Sequence, residues 1–166
     1  MNRCNHDSET HHCVHNEHGR LHSKACITLV PIFNHLDDDK LEEIMRAIKT
    51  AHFDKGEIIY RAGQQSNSLY IVSKGKIRIY RLSESGKEQL LRILKPGDFT
   101  GELALFRQSV HESYAEAMAD TDVCMINRDD LQKFLLKYPT IALQVLAEFS
   151  NRLDESEKQA ARFATE

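Results

Sequence analysis

Thiols and imidazoles crowd the start of this 166-residue chain. Six of its nine histidines (His6, His11, His12, His15, His18 and His22) fall in the opening MNRCNHDSETHHCVHNEHGRLHSK, beside Cys4 and Cys13. Cys26 follows in KACITL, and Cys124 lies far downstream. The opening segment is polar and aperiodic, so alone it cannot bury enough surface to fold. Cys/His density in such a tract suggests metal binding. One chemistry is zinc, or another divalent metal, held tetrahedrally by Cys4, Cys13 and nearby histidines. Another is a redox switch in which a Cys4 or Cys13 thiol pairs reversibly with Cys26 or Cys124. The bland alternatives are a flexible tail with incidental histidines and, for Cys124, a small buried hydrophobe in a strand. A purification tag would be one contiguous histidine run, which this segment is not.

The elements that must position these groups begin at Ala25, where the chain turns apolar. Asp37 and Asp38 can cap and charge the start of a helix to about Ile48, with Leu41, Ile44, Met45 and Ile48 at helical spacing. From Gly56 to Ile126 short segments such as Ser68–Val72, Lys76–Leu82 and Gln89–Leu94 alternate apolar and polar residues or run apolar. Six of the seven glycines punctuate this stretch. Strands with a turn signal every ~8–12 residues predict an antiparallel barrel or sandwich. A helix near 128–137 follows, broken at Tyr138-Pro139 because proline lacks the amide donor.

The last predicted helix runs from about Thr140 to Phe163. Ala142, Leu146, Phe149, Leu153, Ser156, Ala160 and Phe163 recur at steps of four and three, the seam of a helix that pairs with a copy of itself. The competing reading is a helix that packs only on its own barrel. Acidic Asp154, Glu155 and Glu157 beside the seam either oppose association or form its solvated face.

A formal net charge of −3 advertises no basic field for nucleic acid. No apolar run approaches bilayer length and no signal peptide precedes the fold, so a cytoplasmic protein is expected. In that reducing compartment the cysteines are expected as ligands, redox sensors or core thiols rather than structural disulfides. There is no G-x-S-x-G elbow, P-loop or His-Glu-x-x-His motif, and no enzyme is expected.

The stretch GEIIYRAGQQSNSLYIVSKGKIRIYRLSESGKEQLLRILKPGDFTGELALF resembles the sensory domain of Crp/Fnr transcription regulators. Its marks are G-E-x-I-x-x-x-G at Gly56–Gly63, S-x-Y-x-I-V-x-x-G near Ser68–Gly75 and P-G-D-F-x-G-E at Pro96–Glu102, and the likeness runs from about residue 26 to 160. It implies a mainly β fold with flanking helices: a double-stranded β-helix or jelly roll of the cyclic-nucleotide-binding type, plus a long C-terminal dimerisation helix. The implied division is a Cys/His-rich segment 1–25, a β-roll 26–138 and a dimerisation helix 139–166. A homodimer through the 140–163 helix is implied. DNA would be bound only through a helix-turn-helix domain absent from this chain, which is expected to be the sensory half of a longer regulator.

The resemblance also bears on the ligand. Relatives that bind cyclic AMP hold its ribose with the glutamate of G-E-L, here Glu102, and its phosphate with an Arg-Ser pair. The pair's place is taken by Glu112 and Ser113, and a carboxylate repels a phosphodiester. HESYAEAMADTDVCMI instead resembles the oxygen-sensing FNR branch, in which a cysteine of the last barrel strand and three N-terminal cysteines ligate a [4Fe–4S] cluster. Cys124 takes the strand position and Cys26 the last N-terminal one, leaving Cys13 and Cys4. Four thiolates is the number a cubane takes, one per iron. The spacing C-x8-C-x12-C is longer than in that branch, although long loops add little closure entropy. Zinc, a thiol switch and a cyclic-nucleotide-type module remain the alternatives.

Overall fold

The computed structural model describes residues 27, 28, 30, 32–102 and 107–165. Cys4, Cys13 and Cys26, and with them the segment 1–25, lie outside the described residues. Helix α1 (Asp38–Ala47) carries Asp38 and Asp39 in its first turn, favourable at the positive end of the helix dipole. Asp37 is the N-cap but makes no side-chain capping bond, so only the charge part of the expected cap is realised.

Ten strands follow: β1 (Lys49–Phe53), β2 (Ile58–Tyr60), β3 (Gln65–Ser66), β4 (Ser68–Lys74), β5 (Ile77–Leu82), β6 (Glu88–Leu94), β7 (Phe99–Thr100), β8 (Ser109–Val110), β9 (Tyr114–Ala117) and β10 (Thr121–Asn127). They form two four-stranded antiparallel sheets, β1-β10-β4-β7 and β2-β9-β5-β6, with a short β3-β8 pair. This is the expected β-roll. Gly75 shows why the turns need glycine. Its φ is +88°, and a Cβ there would stand 2.5 Å from the Asp120 carbonyl oxygen.

Helix α2 (Arg128–Lys137) is capped by Asn127, whose side-chain carbonyl accepts from the Asp130 amide at 2.8 Å. The Tyr138 amide still donates to the Phe134 carbonyl, and Pro139 then opens helix α3 (Pro139–Thr165). Proline suits a first helical position, where its missing N–H is not needed. The break therefore falls where expected, with α3 beginning one residue earlier.

Two apolar cores share the first sheet. Val72 and Val123 point between the sheets and pack with Phe53, Tyr60, Ile77, Ile79 and Leu94. Leu69, Ile71, Cys124 and Ile126 point to the other face, into a core built with Ile27, Val30, Ile32 and Phe33, α1, α2, and Ile141 and Val145 of α3. Because both faces are covered, Val123 and Cys124 are each 0% exposed although they are neighbours.

The predicted seam on α3 is divided by this packing. Ile141 and Val145 are buried and Phe149 packs against the same core, so Phe149 serves the chain's own barrel rather than the seam. Leu143, Leu146, Leu153 and Phe163 are exposed, Leu146 by 59% and Leu153 by 62%. The reading of a helix packed on its own barrel holds for one face, and the other face is left exposed.

Candidate functional site

Two places in this fold combine chemistry with shelter. The first is Cys124, at the middle of β10. It is paired with Ile71 of β4 and Thr50 of β1. Strand alternation turns it away from the barrel interior and toward the segment that enters the fold at Ile27. Cys124 is disulfide-bonded. Its partner lies outside the described residues, as do all three other cysteines of the chain. A bonded Cys124 is compatible with the reversible thiol pair weighed above and differs from the free core thiol that was its bland alternative. Its 0% exposure is that of a core residue.

The second place is a cavity of ≈ 160 Å³ in the barrel, lined among others by Tyr60, Arg81, Arg92, Glu102, His111 and Glu112. Its deep wall is His111, 8% exposed, whose ring stacks on Tyr60 at 3.7 Å between centroids. Burial holds the His111 pKa below its ordinary value, which favours the neutral imidazole. His111 Nε2 and Ser109 Oγ are buried with no hydrogen-bond partner. Nothing in the motif reading singled out His111, since a histidine in a short connecting loop carries no pattern of its own.

Glu102 does not open into this cavity as a free carboxylate. Arg152 of α3 donates through Nη1 to Glu102 Oε1 at 2.7 Å and through Nη2 to the Phe99 carbonyl at 3.1 Å, with its guanidinium 4.1 Å from the Phe99 ring centroid. Arg92 adds a second ion pair to Glu102 at 3.6 Å and its own bond to the Phe99 carbonyl. Gly101, beside them, permits the turn: φ is +86° and a Cβ would meet the Ser68 carbonyl at 2.4 Å. Glu102 thus ties the cavity rim to the long helix. Glu112 pairs with Arg81 at 3.0 Å on the outer rim. Arg152 and Glu102 are only 26% and 22% exposed, so screening is limited. Arg152→Ala is expected to cost about 1.5–3 kcal/mol, the range for a hydrogen bond to a charged partner, read as a lower midpoint in urea unfolding.

This geometry has known counterparts. The chain belongs to the cyclic nucleotide-binding domain family, whose model matches residues 50–138. It is 35% identical over 136 residues to the probable transcriptional regulator flp of Lacticaseibacillus casei, covering 82% of this chain and 62% of that protein. It is 32% identical over 136 residues to the anaerobic regulatory protein of Haemophilus influenzae, covering 82% and 51%. The crystal structure of the Thermus thermophilus catabolite activator protein matches with a TM-score of 0.72 at 25% identity, over 81% of this chain and 63% of that one. The chain spans between 51% and 63% of the length of these three. It carries a Crp/Fnr-type sensory domain, and its relatives are regulators rather than enzymes, as the motif reading expected. Among the described residues no helix is long and apolar enough to cross a membrane.

Proposed function

We propose that this chain is the redox-sensing half of a cytoplasmic transcription regulator, working as a homodimer through α3, with a separate helix-turn-helix domain contacting DNA. The observation that carries the reading is the bond between Cys124 and a second cysteine. Cys124 is fully buried in the core that it shares with Ile27, the residue after Cys26. Any chemistry that makes or breaks a link at Cys124 changes how the entering segment is held.

The donor set fits a [4Fe–4S] cluster in number and kind: four thiolates from Cys4, Cys13, Cys26 and Cys124. Held by these thiolates, such a cluster would supply oxygen-labile redox chemistry. The alternatives for the same thiols are a reversible disulfide and a zinc site.

The chain's own residues provide the transmission. Ile27, Val30, Ile32 and Phe33, just beyond Cys26, share one continuous core with Cys124 and with Ile141, Val145 and Phe149 at the root of α3. A link at Cys124 holds that segment against the core, and release loosens the packing under α3. A difference of a few kcal/mol between the two arrangements is enough to reverse a two-state population.

A second reading, a small molecule in the barrel, is favoured by the unpartnered His111 Nε2 and Ser109 Oγ facing the cavity. Glu112, paired with Arg81, offers a cyclic phosphodiester no donor where cyclic-AMP-binding relatives carry arginine.

The test is strictly anaerobic purification followed by absorption spectroscopy and iron and acid-labile sulfide analysis. The cluster reading expects about four iron and four sulfide per chain and a broad band bleached by air. Metal-free protein with a reversible disulfide would leave the thiol switch in its place. A colourless zinc protein would overturn the redox reading.

A further inference from the structure

Among the described residues, one group of side chains has the composition of a metal site, and it lies away from both places described above. His52 is the penultimate residue of β1, Asp54 follows the strand, and Asp120 stands in the turn before β10. One ligand atom from each lies within 4.8 Å of the others. We propose that His52, Asp54 and Asp120 bind a divalent cation of the manganese–zinc class, with Asp122 orienting the imidazole.

The orientation comes from sheet register. His52 and Asp122 are directly opposed in the β1–β10 pair, and His52 Nδ1 lies 2.6 Å from Asp122 Oδ1. A carboxylate on Nδ1 commits that nitrogen as donor and leaves Nε2 as the free pole of the ring, the arrangement that metal-ligating histidines use. Nε2 lies 3.2 Å from Asp54 Oδ1. A protonated ring donates to both carboxylates; in the neutral ring the Nε2 lone pair faces the Asp54 carboxylate, and a cation between them takes the place of the proton.

Asp120 is held by a hydrogen bond from the Lys55 amide at 3.4 Å, while the Asp54 side chain is 65% exposed and can close the last few tenths of an ångström. Ligand–metal distances of ~2.0–2.2 Å set opposed ligand atoms at most about 4.4 Å apart. One imidazole and two carboxylates, completed by water, suit manganese or zinc rather than a soft thiophilic ion. Bound there, the ion would cross-link the end of β1 to the β9–β10 turn.

Zinc would also be taken by the cysteines and histidines of residues 1–26, so the probe is Mn2+ alone. The full chain is titrated with MnCl2, on the alkaline side of the imidazole's pKa, which the Asp122 hydrogen bond raises. Paramagnetic broadening of amide NMR signals is followed residue by residue. Broadening centred on residues 52–55 and 120–122, weakened at least tenfold in both His52→Gln and Asp120→Asn, is the expected result. Either variant alone suffices provided its spectrum keeps the wild-type dispersion. No broadening at millimolar Mn2+, broadening centred elsewhere, or broadening here that both variants leave unchanged overturns the site. The outcome is independent of the thiol reading, because no cysteine belongs to this group.

Discussion

Cys124→Ser is expected to abolish the response to oxygen while leaving the β-roll folded. Cys124 is a disulfide-bonded residue in the core shared with Ile27 and the root of α3, so in the proposed mechanism its loss removes the switch rather than weakening it. Serine also brings a hydroxyl into an apolar core at a fully buried position, a cost of roughly 1–3 kcal/mol. Cys124→Ala separates the two effects, because it keeps the core apolar and removes only the sulfur. Both variants should lose the air-dependent change in absorption and in assembly. The alanine variant should do so with the smaller drop in thermal midpoint. An alanine variant that still responds to air would return Cys124 to the status of a packing residue.

Leu146→Glu combined with Leu153→Glu is expected to leave the monomer's fold intact and to prevent self-association. The two leucines are 59% and 62% exposed on the single chain, whereas Ile141 and Val145 on the other face of α3 are buried against the barrel. Removing the exposed pair therefore costs the monomer almost nothing. Burial of a leucine is worth about 1.5–3 kcal/mol, and a symmetric interface buries each residue twice. Even half of that burial, realised at both residues, corresponds to a hundredfold or greater rise in the dimer dissociation constant. Sedimentation should show monomer at concentrations where the parent chain is dimeric. An unchanged dimer would place the interface on another surface, the exposed Leu90, Leu91 and Ile93 of β6 being the next apolar patch.

The strands, the helix break at Pro139 and the position of Cys124 in the last strand were legible because each rests on local chemistry: alternation, a missing amide donor, a turn that needs positive φ. What was not legible depends on register and on distant partners. Cys124 and Val123 alternate across the sheet, yet both are buried because helices cover one face and a second sheet the other. Alternation alone does not tell which neighbour meets the core near Ile27. The Arg152–Glu102 tie joins residues 50 positions apart, and His52–Asp122 joins residues 70 apart. Neither pair has a spacing that a scan for periodicity or motif detects. The seam on α3 was half legible: the heptad steps were real, but a helix that serves two surfaces blends two stripes, and Phe149 belongs to the inner one. Cys4, Cys13 and Cys26 remain readings of residue type and resemblance.

The central claim is that the state of the thiols sets the packing beneath α3 and so the assembly of the chain. Sedimentation velocity of one anaerobic sample, before and after admission of air and again after reduction, tests it most directly. A shift between dimer and monomer on oxidation is expected in the parent chain, and no shift in Cys124→Ala. One unchanging species under all three conditions, in a sample whose thiols are shown to have changed state, would contradict it.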